Sequence, residues 1–192
     1  PENPSFSRYQ KIFEGFTSGF SESSSASKFV HGLANSTLVS IGTTIVCMIA
    51  GCMAAFALTR LYVPKSKQIM MAILSTQMLP AVVIIIPLNL LLQKFHLIDT
   101  IPGLILPYCG LMLPTVIWIM YGFFLTIPKE IEEAAMIDGC SHVQSFIRVV
   151  LPISGPGLMA ITAYTFLNSW NEFFMAMILT QTRTKTITVT IT

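Results

Sequence analysis

The sequence contains very few charged residues. Only 10% of its 192 residues are Asp, Glu, Lys or Arg, whereas 53% are hydrophobic, and a soluble domain normally carries about a quarter charged residues. So few charges cannot cover a surface that faces water on every side. The composition therefore favours an integral membrane protein over a soluble globular domain.

Charge is missing altogether from four long stretches. No Asp, Glu, Lys or Arg occurs within residues 29–59, 68–93, 100–128 or 149–171. Each stretch matches or exceeds the roughly 20 residues that cross a bilayer as a helix. Because backbone polar groups in lipid must be satisfied internally, we predict an all-α, polytopic membrane protein with at least four transmembrane helices. The predicted spans are residues 33–63, 69–92, 101–125 and 152–180.

Prolines and glycines predict irregular points in two of these spans. Pro80 and Pro87 are expected to interrupt the second span, since proline removes a helical hydrogen bond. The stretch LPISGPG, residues 151–157, can hardly form regular helix at the start of the fourth span. It is predicted to be a joint.

Patterns typical of enzymes and metal sites are also absent from the sequence. There is no Gly-x-x-x-x-Gly-Lys-Ser/Thr loop and no His-Glu-x-x-His motif. The four cysteines lack metal-ligand spacing and imply no disulfide framework. The net charge of +2 comes from single basic residues, which form no patch for nucleic acid. We predict no catalytic residue, no metal site and no cofactor bound by this chain.

One acidic segment stands between the apolar stretches. Residues 128–140 read PKEIEEAAMIDGC. Glutamates near the amino end suit the helix dipole, and Gly139 suits a left-handed position at the carboxyl end. A helix of about ten residues is roughly 15 Å long, too short to cross a bilayer. We therefore predict a short helix outside the lipid.

One face of this short helix carries small, apolar and acidic side chains. They are those of Ile131, Ala134, Ala135 and Asp138. They lie on one face because they follow the spacing i, i+3, i+4, i+7. Two interpretations remain open from the residues alone, a docking surface for another protein and a solvated connection between two spans.

The sequence from Glu133 to Pro152 resembles the signature loop of ABC importer permeases. That loop contains Glu-Ala-Ala, three residues, Gly, nine residues, an aliphatic residue, one residue and Leu-Pro. The matching residues are Glu133, Ala134, Ala135, Gly139, Val149, Leu151 and Pro152, with Val149 where the family usually has Ile. The stretches ANSTL, AAFALTRL, PLNLLLQKFHLIDT and FLNSWNEFFMAMILT are similar to the carbohydrate-uptake, maltose-permease-like branch.

The resemblance implies a transmembrane permease subunit of an ATP-driven importer in the inner membrane of a bacterial or archaeal cell. Residues 128–140 would be a cytoplasmic coupling helix that docks on an ATPase subunit, which would bind ATP and Mg²⁺. The implied coupling residues are Glu132, Glu133, Ala134, Ala135, Asp138, Gly139, Leu151 and Pro152. Further implied partners are a second permease subunit and an extracytoplasmic solute-binding protein.

The resemblance also implies how the chain is divided. Residues 1–29 would be an extracytoplasmic segment, and residues 30–192 the transmembrane permease domain. Such subunits usually have six spans, so we expect a fragment that lacks the first and the last.

Glu172 is an ionisable residue within the fourth predicted span, and ionisable residues within or near a span are candidates for function. Asn168, Trp170 and Asn171 surround it in the sequence. Amide, carboxylate and aromatic groups together suit a sugar, so these four residues are predicted to line the substrate pathway. Alternatively, Glu172 faces water at the outer end of the span while Trp170 lies in an interfacial belt.

Several functions remain compatible with these patterns. The favoured one is uptake of sugars or oligosaccharides, and the nearest alternative is an importer of the same class for another small solute. A stand-alone secondary transporter would need charged relay residues within its spans. A membrane scaffold with a docking helix would need no pathway at all.

Overall fold

The computed structural model describes residues 25–191, and all regular secondary structure in that range is helical. The helices are α1 (Ser25–Arg60), α2 (Ser66–Ser75), α3 (Ala81–Lys94), α4 (Ile101–Thr126), α5 (Lys129–Ile137), α6 (His142–Ser145), α7 (Leu151–Ile153), α8 (Gly155–Asn171), α9 (Phe174–Leu179) and α10 (Ile187–Thr190). A 3₁₀ turn, Thr76–Met78, follows α2, and a π-helical turn, Phe146–Val150, joins α6 to α7. The all-α prediction is confirmed.

Two of these helices, α1 and α4, are each long and apolar enough to cross a membrane. Two further candidates are pairs of helices joined at a sharp bend, Ser66–Met78 with Ala81–Lys94 and His142–Ile153 with Gly155–Asn171. The described residues therefore contain two candidate spans, or up to four if each bent pair is one span. The predicted number of four spans is reached only if each bent pair is counted as one span.

The amino-terminal boundary differs from the predicted one. Helix α1 already begins at Ser25, so the last residues of the predicted segment 1–29 are helical. Residues 1–24 lie outside the described range. The extracytoplasmic location of this segment stays a prediction.

The second predicted span breaks at one proline and not at the other. The chain turns by 91° between the 3₁₀ turn and α3, where Leu79 and Pro80 are both extended. Pro87 lies inside α3, and the predicted interruption there is wrong. Membrane helices tolerate an internal proline where neighbouring groups satisfy the freed backbone atoms.

The fourth candidate span runs over 142–171 and not over the predicted 152–180, and it is bent by 80° at Ser154. Ser154 ends α7 and precedes α8, and its ψ of 9° departs from helical geometry. Leu151–Ile153 nevertheless forms a helical turn. The predicted joint is therefore present, confined to one residue of the stretch 151–157.

Helices α1 and α4 run side by side in the same direction and form the core of the bundle, and α8 packs against both. Small residues allow the close approach. A Cβ atom added to Gly51 would overlap Val116 of α4, and one added to Gly157 of α8 would overlap the ring of Phe123. Close backbone contact through small residues is a common basis of helix packing in lipid.

Asp99 holds together the end of the bundle that lies away from α5. Its backbone has a left-handed φ of 56°. Its carboxylate accepts hydrogen bonds of 3.0–3.1 Å from four consecutive N–H groups, those of Gln181, Thr182, Arg183 and Thr184. The hydroxyl groups of Thr182 and Thr184 donate to the same carboxylate at 3.3 and 2.9 Å. The loop between α3 and α4 is thereby fixed to the chain between α9 and α10.

These contacts change the acidity of Asp99. Partial burial alone would raise its pKa, but the four backbone N–H groups stabilise the carboxylate and hold the pKa well below its ordinary value. A group with a depressed folded-state pKa stabilises the fold above its unfolded pKa of about 3.9. That stabilisation is lost as the pH falls towards the lower folded value.

We predict that Asp99→Asn lowers the thermal unfolding midpoint at neutral pH, and that the deficit shrinks below about pH 4. The measurement is thermal unfolding of the purified chain in detergent across this pH range. Asp138→Asn is the matched control, because Asp138 is an exposed acid on another loop. A deficit for Asp99→Asn that stays constant with pH would contradict the assignment.

Candidate coupling site

Helix α5 is a rigid rod with defined ends. Pro128 precedes it in an extended conformation, and the helix begins at Lys129. At the other end Gly139 has a φ of +92°, as predicted. The N–H of Gly139 donates to Met136 O and the N–H of Cys140 donates to Ala135 O, both at 3.0 Å. These two bonds form a Schellman motif, which fixes the point where the helix stops.

Glu132 points from α5 into the protein and is only 4% exposed. Its carboxylate oxygen Oε2 lies 3.1 Å from Nε of Arg60, the last residue of α1. The Nε–H is not aligned on that oxygen, so the contact is an ion pair and not a directed hydrogen bond. Since a buried charge without a partner is very costly, each side chain requires the other.

Arg60 also holds the end of α4. Its Nη2 donates to the carbonyl oxygens of Phe124 at 2.9 Å and Ile127 at 2.7 Å. Phe124 lies in the last turn of α4 and Ile127 directly follows the helix, where the helix dipole favours a cation. Phe124 O also accepts the N–H of Ile127 at 3.3 Å. One guanidinium group therefore joins the ends of α1 and α4 to α5.

His142, the first residue of α6, lies on the other side of the Glu132 carboxylate. Its Nδ1 is 3.9 Å from Oε1, and its side chain is largely exposed. Helix α6 begins with a capping box, in which Ser141 and Gln144 bond reciprocally between side chain and backbone. The chain after α5 is therefore held close to the ion pair.

The predicted coupling residues separate into two groups. Glu132 faces inward, whereas Glu133, Ala134, Asp138 and Gly139 are exposed and Ala135 is half-buried. Ile137, which the sequence analysis did not single out, is 86% exposed. We call these exposed residues, Glu133, Ala134, Ile137, Asp138 and Gly139, the outer face of α5. The outer face carries small, acidic and apolar side chains, and no other part of the described chain packs against it.

Leu151 and Pro152 lie in α7, which follows α5 and α6 in the chain. Leu151 is half-buried against the main hydrophobic cluster, and Pro152 is exposed. They do not belong to the outer face of α5. Their position in the short turn before Ser154 places them between the rod and α8.

The four predicted pathway residues lie at the end of α8, but their side chains are engaged locally. The Glu172 carboxylate accepts from the N–H groups of Met175 and Ala176 at 3.1–3.2 Å and so caps α9. Asn168 donates to Tyr164 O in its own helix at 2.8 Å. Trp170 stacks on Phe166 at a centroid distance of 5.8 Å, and Asn171 is exposed. The structure places the four residues near each other without assembling a pocket from them.

The sequence analysis missed the role of Arg60. It counted this residue only among basic residues near span ends. The available signal was that Arg60 directly follows the longest charge-free stretch, at a position where a charge in a helical bundle needs a partner. Nothing in the sequence indicated which of the clustered glutamates that partner would be.

We predict that Glu132→Gln lowers the stability of the chain by about 3 kcal/mol, because it leaves the buried Arg60 cation without its counter-charge. The control is Glu133→Gln, which removes the same charge from the exposed side of the same helix and should change stability little. Thermal unfolding in detergent measures both. Equal effects of the two substitutions would show that burial of Glu132 has no energetic weight.

Two sugar permeases illustrate the similarity to known proteins. The trehalose transport system permease protein SugB of Mycobacterium tuberculosis is 34% identical over 182 residues, which cover 95% of this chain and 62% of that protein. The diacetylchitobiose uptake system permease protein NgcG of Streptomyces coelicolor is 34% identical over 167 residues, covering 87% and 54%. The chain therefore spans little more than half of the length of these relatives.

A solved structure shows the same fold. The crystal structure of a bacterial ABC transporter involved in the import of the acidic polysaccharide alginate matches with a TM-score of 0.79 and 23% sequence identity. The match covers 100% of this chain and 63% of that one. The bent helices and the short rod of α5 thus occur within a fold already seen in an importer.

The family model for the inner membrane component of binding-protein-dependent transport systems matches residues 47–191. The matched region contains the carboxyl-terminal part of α1, residues 47–60, and every described helix that follows it, including α5 and the bend at Ser154. The chain belongs to the family of binding-protein-dependent transport system inner membrane components.

Proposed function

We propose that this chain is the permease part of an ATP-driven importer and that α5 is its coupling helix. The observation that carries the proposal is the two-sided construction of α5. Its inner side is bound to α1 and α4 through Glu132 and Arg60, while its outer face is exposed. A short rod held in this way can receive a force from another protein and pass it to the bundle.

The outer face supports docking to a protein partner. Ala134 and Gly139 allow close contact, and Ile137 offers an exposed apolar side chain. Apolar side chains suit the centre of a protein interface, whereas isolated carboxylates suit its polar rim. The proposed partner is a cytoplasmic ATP-binding subunit, which would bind and hydrolyse ATP with Mg²⁺. Its closure on ATP would displace α5 and drive alternating access.

The remaining partners follow from the class of machine. A second permease subunit would complete the pathway, and an extracytoplasmic solute-binding protein would deliver the solute. The cargo is proposed to be a sugar or oligosaccharide, because the relatives named above are permeases for trehalose and diacetylchitobiose. Asn168, Trp170, Asn171 and Glu172 stay our candidates for the pathway, with Glu172 acting through its cap on α9.

A stand-alone secondary transporter receives less support. Its coupling would need ionisable groups along the spans, and the sequence of α4 contains no Asp, Glu, Lys or Arg. The buried carboxylate of Glu132 lies in α5, outside the candidate spans, and is neutralised by Arg60.

We predict that Ala134→Arg lowers ATP-dependent solute uptake at least tenfold while the protein still inserts. A long cation on the docking face would cost more than about 1.4 kcal/mol of binding, which is a tenfold change in affinity. The measurement is uptake of a panel of disaccharides, beginning with trehalose, into proteoliposomes that contain the assembled complex and its binding protein.

Gln68→Arg is the matched control. It adds the same side chain at an exposed position of α2, at the same end of the bundle but outside α5. Uptake should persist in this variant. Undiminished uptake by Ala134→Arg, or uptake driven by an ion gradient without ATP, would refute the coupling role.

A further inference from the structure

We propose that Arg60 is a positioning residue that makes α1, α4 and α5 one mechanical unit, against which α8 hinges at Ser154. A displacement of α5 is then carried directly into α1 and α4, while α8 follows through the bend. This inference rests on the coupling role proposed for α5. It adds which helices move with α5 and which residue makes them do so.

The contacts of Arg60 define the first half of the argument. Its side chain is 3% exposed, and one planar group reaches the carboxylate of Glu132 and the carbonyl oxygens of Phe124 and Ile127. A guanidinium group presents several donors in a rigid fork, whereas an ammonium group is a single point charge. The position therefore requires arginine, since lysine cannot span the ends of α4 and α5 together.

An aromatic cluster supports the same unit. Phe56 of α1 lies 4.5 Å from Phe146 of the π-helical turn and 6.4 Å from Phe124 of α4, measured between ring centroids. Phe124 and Phe146 are 6.1 Å apart and nearly perpendicular. Aromatic pairs in this range attract beyond their burial. The chain that follows α5 is thus packed against the helices that Arg60 joins.

The side of α5 that carries Ile131 borders an open space. A cavity of about 280 Å³ separates the start of the rod from the bend, and Phe123, Ile131, Ile153 and Pro156 are among its lining residues. Gly155 has open space around the position of a Cβ atom. Ser154 interrupts the helix beside this space, where the chain bends by 80°. A change of angle at Ser154 would leave the contacts of Arg60 with α4 and α5 in place.

The test measures two distances from α5 in the assembled complex, with the full-length chain and its natural partner subunits. Spin labels are attached at Lys129→Cys, the first residue of α5, paired with Tyr62→Cys, just after α1, or with Met159→Cys of α8, in a background free of the native cysteines. All three positions are exposed, and none is among the implied coupling residues. Distances are recorded without nucleotide and after trapping with ATP, Mg²⁺ and vanadate.

In the otherwise unaltered chain, the distance from 129 to 159 should shift by more than about 2 Å on trapping, the scale of helix displacements at interfaces. The distance from 129 to 62 should stay constant. With Arg60→Met, the 129–62 distribution should broaden and become sensitive to nucleotide. Arg60→Lys should have an intermediate effect. Glu130→Gln changes an exposed glutamate of α5 outside the implied coupling residues and should behave as the unaltered chain. A merely structural role would lower the yield of complex without separating the two distances.

Two results would overturn the inference and leave the coupling role intact. One is a 129–62 distance that shifts as much as the 129–159 distance in the unaltered chain. The other is an Arg60→Met variant whose two distances match those of Glu130→Gln. If neither distance responds to nucleotide in the unaltered chain, the coupling role itself fails, and this inference fails with it.

Discussion

The ion pair between Arg60 and Glu132 is the interaction on which the arrangement around α5 depends. In a bundle this apolar, a buried charge without a partner is far more costly than a paired one. The pair therefore fixes where α5 can lie relative to α1, and the two carbonyl bonds of Arg60 fix it relative to α4. The short rod could otherwise have adopted many positions, because nine residues of helix bury little surface by themselves.

Three acidic residues hold irregular parts of the chain in place. Glu132 compensates a buried cation, Asp99 accepts from four consecutive N–H groups, and Glu172 caps a short helix. Each satisfies polar groups that apolar packing cannot satisfy, and such groups are costly away from water when they lack a partner. Asp99 and Glu132 act at opposite ends of α4, and the bend at Ser154 lies beside α5.

Much of the fold could be predicted because lipid imposes a simple rule on composition. The charge-free stretches predicted α4 to within one residue, with 101–125 predicted and Ile101–Thr126 observed. They also located α1, although it begins at Ser25 and not at the predicted residue 33. The same rule could not distinguish a straight span from a bent one, since a break between two apolar helices leaves no change in composition. Pro80 and Pro87 look alike in the sequence, yet only Pro80 follows a residue in an extended conformation.

The candidate site was predicted less completely, and for a different reason. The signature loop predicted the position of α5 and the left-handed conformation of Gly139. Both depend on residues that are close together in the sequence, so the sequence alone could indicate them. Glu132 and Glu133 are adjacent and chemically identical, and only the distant Arg60 determines which one turns inward. Likewise, the cap that Glu172 provides depends on the start of α9, which its apolar sequence did not reveal.

The contact between Arg60 and Glu132 is tested most directly by a double-mutant cycle of Arg60→Met and Glu132→Gln, in which the free energy of unfolding of the purified chain is measured. If the two residues form the central contact, the double variant is less destabilised than the sum of the single variants. The expected interaction energy is about 1–3 kcal/mol. Effects that add within about 0.5 kcal/mol would show that the two side chains do not depend on each other, which would contradict the account.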